Sequence, residues 1–380
     1  MKFLMISSFL PSVLNFRGKL LEAIAARGFE IHIMAPELSS FAEEYQQLLQ
    51  LGYQVHEIPM QRTGTNPLAD LKLLKHLYQQ IRRIQPDYVL SYTIKPVIYG
   101  ILAAWLAKVP HRFALITGLG YAFQNVESGQ RSLFQKMVHD LYAQALKHAD
   151  KVFFQNPDDL KLFQNMHLLE KDKPTVVVNG SGVNVQDFDI MPLPQNTQGQ
   201  VKASFLLIAR LLGDKGVREY AEAARIIKAQ YPETEFHLVG WIDDNPTAIS
   251  QTELDSWIAE KTINYWGRLN DVRPAIAASS VYILPSYREG TPRTVLEAMA
   301  MGRAIITTDA PGCRETVAHG VNGYLVGVKS VDDLVQAMQY FIEDPKLMLY
   351  MGQQSRERAL SKYDVHQVNA HMLREMGISA

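Results

Sequence analysis

The sequence predicts an α/β protein of two Rossmann-like, doubly wound domains in tandem. Three observations carry this. Short apolar runs alternate with amphipathic stretches of helical period over most of the chain. The alternation stops once, at the polar segment Ile190–Gln200 (IMPLPQNTQGQ), and then restarts. The chain has 380 residues, enough for two cores at about 100–200 residues per domain.

In order, Lys2–Ser7 reads as a strand, Pro11–Phe16 as a loop and Gly18–Arg27 as a helix. Strands follow at Glu30–Ala35 and Tyr53–Ile58, then a helix over Leu68–Ile84 and a strand at Tyr88–Ser91. Helices over Pro96–Ala107, Ser132–Ala149 and Pro157–Met166 alternate with strands at Arg112–Thr117, Lys151–Gln155 and Thr175–Val178. After Ile190–Gln200 come strands at Ser204–Ala209, Glu235–Val239, Ile263–Trp266, Val281–Leu284, Ala304–Thr308 and Tyr324–Val326. Helices are expected over Val217–Gln230, Glu253–Glu260, Val272–Ser279, Val331–Glu343, Leu347–Leu360 and Val365–Met376. The expected division is a first domain over 1–189, a linker over 190–200, a second domain over 201–360 and a terminal helical segment over 361–380. Open sheets of this kind bind ligands beyond the carboxyl ends of their strands, so a site in a cleft between the two domains is expected.

Composition narrows the function. A net charge of −1 gives no basic footprint for nucleic acid. The single cysteine, Cys313, cannot form an internal disulfide, which fits a reducing cytoplasm; in PGCRET it reads as a small residue at a turn. The apolar run Phe3–Ile6 is too short for a signal peptide, and no run reaches the length of a membrane span.

The chemistry concentrates in Leu284–Gly302, LPSYREGTPRTVLEAMAMG. Pro285 and Ser286 end a strand, Thr291 reads as an N-cap and Pro292 as the first helical residue. The first N–H groups of that helix, near Arg293 and Thr294, offer an anion site at the positive end of the dipole. Gly290 lets a ligand approach the backbone. Glu289 and Glu297 flank this site. A sugar nucleotide has the matching layout: ribose hydroxyls at one end, a diphosphate in the middle and sugar hydroxyls at the other. A surface loop with a solvated glutamate is the competing reading. Arg210 and Lys215, in ARLLGDKGV after another strand, supply cations that neutralise a diphosphate and stabilise it as a leaving group. Gly240 and Gly267 close two further strands, and WGRLND reads either as backbone contacts to a base at Arg268 and Leu269 or as an ordinary βα turn. In the first domain, Asn15, Arg17 and Gly18 of SSFLPSVLNFRG and Thr117 and Gly118 of TGLGYAF are placed at the cleft.

Asp187 and Asp189 form a D-x-D, but it precedes the linker, away from the strand-end loops, and no spaced His or Cys cluster suggests zinc, so no metal site is assigned. The helices over Leu68–Ile84 (Lys72, Lys75, Arg82, Arg83) and Ser132–Lys151 (Lys136, Lys147, Lys151, with Arg131 just before) are basic and amphipathic, a pattern that can lie on an anionic membrane or simply solvate one face of a packed helix. Residues 1–190 carry a net charge of +2 and the remainder −3, counting the same Lys, Arg, Asp and Glu that give −1 overall.

The combination ARLLGDKG followed by EGTPRTVLE resembles the retaining glycosyltransferases of family 4, whose E-x7-E element matches Glu289 to Glu297. The resemblance runs the length of the chain. It implies the GT-B fold, with the helix near Val365–Met376 crossing back to the first domain. It implies that Arg210 and Lys215 bind the donor diphosphate, Glu297 the ribose hydroxyls and Glu289 the transferred sugar, with Gly290 and Thr291 offering N–H groups to phosphate. Such enzymes need no metal and no dedicated base: the acceptor hydroxyl attacks on the face the diphosphate leaves and gives its proton to a phosphate oxygen. SSFLPSVLNFRG and TGLGYAFQ look like a bacterial subgroup that builds undecaprenyl-diphosphate-linked glycans for capsule, O-antigen or protein glycosylation. Some of these add N-acetylgalactosamine in α1,3 linkage. The sequence departs from the pattern in having Phe16-Arg17 before a single Gly18, and Thr117-Gly118 where many members carry a histidine.

The expected protein is thus a cytoplasmic enzyme on the inner face of the membrane. It moves a hexose or N-acetylhexosamine from a UDP-sugar to a lipid-diphosphate-linked saccharide. The rivals are a UDP-sugar 2-epimerase on the same fold and a non-catalytic sugar-nucleotide-binding scaffold.

Overall fold

The computed structural model describes all residues except 62–65, 120–122, 124–132, 244, 246 and 379–380; Gln124, Arg131 and Ser132 lie outside the described residues. The chain divides into two compact units, Met1–Ser181 with Val368–Ala380, and Gly182–Gln367.

The first unit is built on seven strands: β1 (Lys2–Ile6), β2 (Glu30–Ala35), β3 (Gln54–Glu57), β4 (Tyr88–Tyr92), β5 (His111–Ile116), β6 (Lys151–Phe154) and β7 (Thr175–Val177). Their order is β3-β2-β1-β4-β5-β6-β7, all parallel. The chain thus starts at the centre, winds outward to β3, and returns to wind the other way. β1 and β4 meet at this reversal, where a doubly wound sheet opens a crevice for ligands. β1 and β4 are apolar on both faces because helices cover both. Phe3, Met5, Ile33 and Leu90 pack on one side, and Leu4, Ile6, Met34 and Val89 on the other.

Pro11–Phe16 is not the loop expected. Leu10–Ser12 is α-helical, Val13–Arg17 is a π-turn, and the helix continues over Gly18–Ala25. Helical winding buries Leu10, Val13, Leu20, Leu21 and Ile24 together, and Pro11 is harmless in the first turn. A helix over Ala42–Gln50, absent from the sequence reading, buries only Leu48, too little to show a period. The helix Pro67–Ile84 begins where the Asn66 side chain accepts from the Leu68 and Ala69 amides. The last helix, Val365–Glu375, runs from the second unit into the first. There Met372, Leu373, Met376 and Ile378 join the β1–β2 core, and the Lys151 ammonium donates to the Glu375 carboxylate and carbonyl, each at 2.7 Å.

The second unit holds β8 (Ser204–Ile208), β9 (Glu235–Val239), β10 (Asn264–Gly267), β11 (Val281–Leu284), β12 (Ala304–Thr308) and β13 (Gly323–Val326). The order β10-β9-β8-β11-β12-β13, again parallel throughout, puts the reversal between β8 and β11.

The residues expected as a linker, 190–200, belong to this unit, and the division falls at Ser181/Gly182. Arg303, fully buried, explains why. Its guanidinium donates to the carbonyls of Met191 (2.7 Å), Pro192 (3.1 Å), Ile276 (2.9 Å) and Met301 (3.1 Å). The segment is held by its backbone, so its side chains show no periodicity. Gln195 and Val201 close it with an antiparallel bridge. Burial lowers the Arg303 pKa to about 10, so the cation remains at neutral pH.

Replacing Arg303 with Met keeps the apolar stem but removes every donor from those carbonyls. An orphaned buried acceptor costs about 1–3 kcal/mol, so the variant is expected to lose about 3 kcal/mol of stability in denaturant unfolding of the full chain. An unchanged midpoint would show that the segment is held by other means.

Candidate active site

The site is assembled at the carboxyl ends of β8 and β11, on either side of the reversal in the second sheet. β8 leads into Ala209–Arg210 and then a 3-10 turn, Gly213–Lys215. β11 leads through Pro285–Pro292 into the helix Arg293–Ala300. These two connections are bonded to each other. The amide of Tyr287 donates to the Asp214 carbonyl at 2.9 Å, and the Ser286 hydroxyl donates to it at 3.2 Å. Gly216 follows at φ 71°, where a Cβ would lie 2.2 Å from the Pro285 carbonyl oxygen. Only glycine tolerates both the left-handed backbone and that approach.

This contact delivers Lys215 to Glu289. The ammonium donates to Glu289 Oε1 at 2.5 Å, and both side chains are 17% exposed. Burial alone would lower the lysine pKa. The Glu289 carboxylate opposes it by charge and hydrogen bond, and the net effect raises it. The two residues expected to hold a diphosphate and a sugar are therefore joined to each other.

The helix start differs from expectation. Pro292 is the N-cap, with φ −73° and ψ 111°, and the helix begins at Arg293. The Thr291 hydroxyl donates to the Gly290 carbonyl at 2.9 Å. The backbone preceding a proline is pushed to extended geometry, which takes Thr291 out of the helical turn. Glu297 sits in this helix, its side chain 9% exposed, and accepts from Arg293 Nε at 2.8 Å. Burial raises its carboxyl pKa against the pull of Arg293.

Arg210 donates to Asp243 at 3.0 Å and is 41% exposed. Gly240, at φ 154°, lies against the strand end before Arg210: a Cβ there would stand 1.9 Å from the Ala209 carbonyl oxygen. Arg268 is exposed, with its guanidinium 4.8 Å from the centre of the Trp241 ring; Leu269 is half-buried against the β8–β11 side of the core.

Several supporting residues were not singled out from sequence. The Tyr282 hydroxyl, buried within β11, lies 3.1 Å from the Ile208 carbonyl and 2.7 Å from Thr294 Oγ1, joining the end of β8 to the first turn of the Glu297 helix. The turn Pro311–Cys313 lies under Glu289, whose amide donates to the Pro311 carbonyl at 2.9 Å. Gly312, at φ 82°, passes so close that a Cβ would be 2.1 Å from the Glu289 carbonyl oxygen. Cys313 caps the 3-10 turn Arg314–Thr316, and burial pushes its thiol up to about 12, which leaves it a neutral packing group. The glycine of PGC was the available signal; the strand tyrosine gave none. Asp189 of the D-x-D pairs with Arg356 at 2.9 Å.

The first unit places its candidates around β1, β4, β5 and β6. Asn15 is exposed, but Arg17 is 2% exposed, with its guanidinium 5.6 Å from the centre of the Tyr92 ring. The sequence reading put it at a cleft; within the first unit its side chain is buried. The Gln155 amide, oriented to satisfy both its ends, accepts from Arg17 Nη2 and donates to the Thr117 carbonyl, each at 3.2 Å. Gly18 and Gly118 have open space where a Cβ would point.

Comparisons with known proteins bear on the family and the fold. The family described as "Glycosyl transferases group 1" matches residues 194–358, and "Glycosyl transferase 4-like" matches 11–156. A Campylobacter jejuni relative, named N,N'-diacetylbacillosaminyl-diphospho-undecaprenol alpha-1,3-N-acetylgalactosaminyltransferase, is 31% identical over 93% of this chain and 92% of its own. An Escherichia coli relative, named UDP-Gal:alpha-D-GlcNAc-diphosphoundecaprenol alpha-1,3-galactosyltransferase, is 25% identical over 78% of this chain and 77% of its own. Among solved structures, a Thermosynechococcus elongatus sucrose-phosphate synthase aligns with TM-score 0.78 at 18% identity, covering 99% of this chain and 98% of its own. Anabaena HepE in complex with UDP aligns with TM-score 0.76 at 18% identity, over 99% of this chain and 100% of its own. At these identities the structures attest the fold.

The buried Glu297 makes the site pH-sensitive. Its folded pKa is raised, so ionising it is harder in the folded chain than in the unfolded one. The resulting loss of stability is absent below the ordinary value of 4.5 and grows as pH rises through 4.5 toward the raised value. Glu297→Gln is therefore expected to match the parent near pH ~4 and to melt higher near pH ~7.5 in the absence of ligand. A gap that is the same at both pH values would show that the carboxyl ionises as freely as in the unfolded chain.

Proposed function

We propose a reaction from one established premise: the chain belongs to the family 4 glycosyltransferases and has the GT-B fold. It is a glycosyltransferase, and its donor, acceptor and stereochemistry are our inference. The donor is a UDP-sugar carrying a hexose or N-acetylhexosamine, with N-acetylgalactosamine as the first candidate. The acceptor is an undecaprenyl-diphosphate-linked saccharide, and the new bond is α1,3 with retention. One observation carries the donor assignment: Lys215, Glu289 and the Glu297 helix converge at the carboxyl ends of β8 and β11. The names of the Campylobacter and Escherichia relatives support the acceptor and linkage.

In this reading Lys215 and Arg210 hold the diphosphate, Glu297 accepts from the ribose hydroxyls and Glu289 from those of the sugar. Arg268 and Leu269 lie beside the base, and Gly240 keeps the backbone near Arg210 open to it. Gly290 and Thr291 present N–H groups to phosphate. The acceptor hydroxyl attacks C1 on the face the diphosphate leaves. The C1–O bond to UDP breaks as the new glycosidic bond forms, and the acceptor's proton passes to the departing phosphate oxygen. The cations stabilise the charge that develops there. No metal is required. Asn15, Arg17, Gly18, Thr117 and Gly118 belong to the acceptor side, with the buried Arg17 positioning the others through Gln155.

The enzyme rests on the inner face of the cytoplasmic membrane through the first unit. The helix Pro67–Ile84 supports this. Its outer stripe, at helical spacing, is Leu68, Leu71, Lys72, Lys75 and Arg82, with Leu68 72% and Leu71 62% exposed. Exposed leucines beside lysines are costly in water and suited to an anionic interface. Among the described residues no helix is long and apolar enough to cross a membrane.

The test is transfer from UDP-N-acetylgalactosamine, UDP-galactose and UDP-N-acetylglucosamine to prenyl-diphosphate saccharides, with NMR of the product. An α-linked product formed equally in EDTA supports the reading. Donor epimerised without acceptor would favour the 2-epimerase, and binding without turnover would favour the scaffold. Glu297→Ala is expected to weaken UDP binding by about 1–3 kcal/mol in calorimetry, the scale of a lost charged hydrogen-bond partner; unchanged affinity would remove the ribose assignment.

The membrane claim has its own test. The protein should float with anionic vesicles at low salt, and Lys72→Glu with Lys75→Glu should cut that binding at least about tenfold. Equal flotation of both would remove this helix from the contact.

A further inference from the structure

The short Lys215–Glu289 pair has a consequence for how the donor enters, and it rests on the proposed donor site. We propose that the Glu289 carboxylate occupies the lysine's anion-binding position in the free enzyme, and that the donor diphosphate displaces it and so releases Glu289 to the sugar. Nucleotide binding and sugar recognition are then two halves of one exchange of partners.

The geometry supports a side-chain exchange rather than a loop movement. Lys215 ends the Gly213–Lys215 turn and is followed by Gly216, which is packed against Pro285. The Glu289 backbone is fixed by the hydrogen bond its N–H donates to the Pro311 carbonyl and by Gly312 against its own carbonyl. Both main chains are held, so the freedom that remains is in the side-chain torsions. The pair is 17% exposed on each side, and its charges are only partly screened. A diphosphate offers Lys215 more negative charge than one carboxylate does, and Glu289 Oε1 then gives up its lysine donor. Sugar hydroxyls are donors that can take its place. An anion already on the lysine also lowers the affinity for nucleotide alone, because the donor must replace it. UDP left after transfer has no sugar to hold Glu289 away, so the carboxylate returns to Lys215 and favours product release.

The exchange fixes the sign of an experiment. Glu289→Gln removes the competing charge and keeps the side-chain shape. By calorimetry the variant is expected to bind UDP about two- to fivefold more tightly than the parent, the range of one partly exposed ion pair. Uridine, which lacks the diphosphate, should bind both alike. Sugar transfer should fall sharply in the variant, since Glu289 is also the sugar ligand. Unchanged or weaker UDP binding would overturn the exchange, because a carboxylate that serves only the sugar has no reason to oppose UDP. A thermal melt of each protein confirms that the variant is folded. If the parent itself binds no UDP, with or without divalent metal, it is the donor reading that fails. Lys215→Gln gives the complement: UDP affinity falls, and a further Glu289→Gln change no longer raises it.

Discussion

Two close backbone approaches set the geometry around Lys215 and Glu289. Gly216 runs against Pro285, and Gly312 against Glu289, each closer than any side chain would allow. They clamp the connection after β11 between the connection after β8 and the turn after β12. The clamp is steric and costs the chain two left-handed residues. In return, Lys215 and Glu289 arrive on fixed main chain from opposite sides of the sheet's reversal. The ion pair between them follows from that placement.

The helix that carries Glu297 is fixed by a different kind of contact. Tyr282 is buried in the strand before it, yet its hydroxyl lies within reach of both the Ile208 carbonyl and Thr294. One polar group thus ties the strand leading to Arg210 to the helix carrying the second glutamate. Glu297 itself is kept buried at a cost to its ionised form.

The two units use polar groups differently around their sheets. In the second, Arg303 spends a whole buried guanidinium on carbonyls that include the segment after Phe188. In the first, Arg17 is likewise drawn inward, over Tyr92 and onto Gln155. Both arginines are buried in their own unit, and neither burial was legible from its neighbours in sequence.

The sequence by itself determined the two parallel sheets, because burial on both faces leaves short apolar strands that stand out between amphipathic helices. It also exposed the second-unit residues Arg210, Lys215, Glu289 and Glu297, because strand ends, glycines and charges recur there at short range. Three things were decided only by tertiary structure. Residues 190–200 joined the second unit because Arg303, about a hundred positions away, holds their carbonyls. Pro11–Phe16 became helix because burial of Leu10 and Val13 outweighed the local turn signal of Pro11 and Ser12. Lys215 and Glu289 became partners because glycine contacts between separate loops brought them together. Composition and period report which residues seek burial or charge; they do not report which distant backbone group each one will meet.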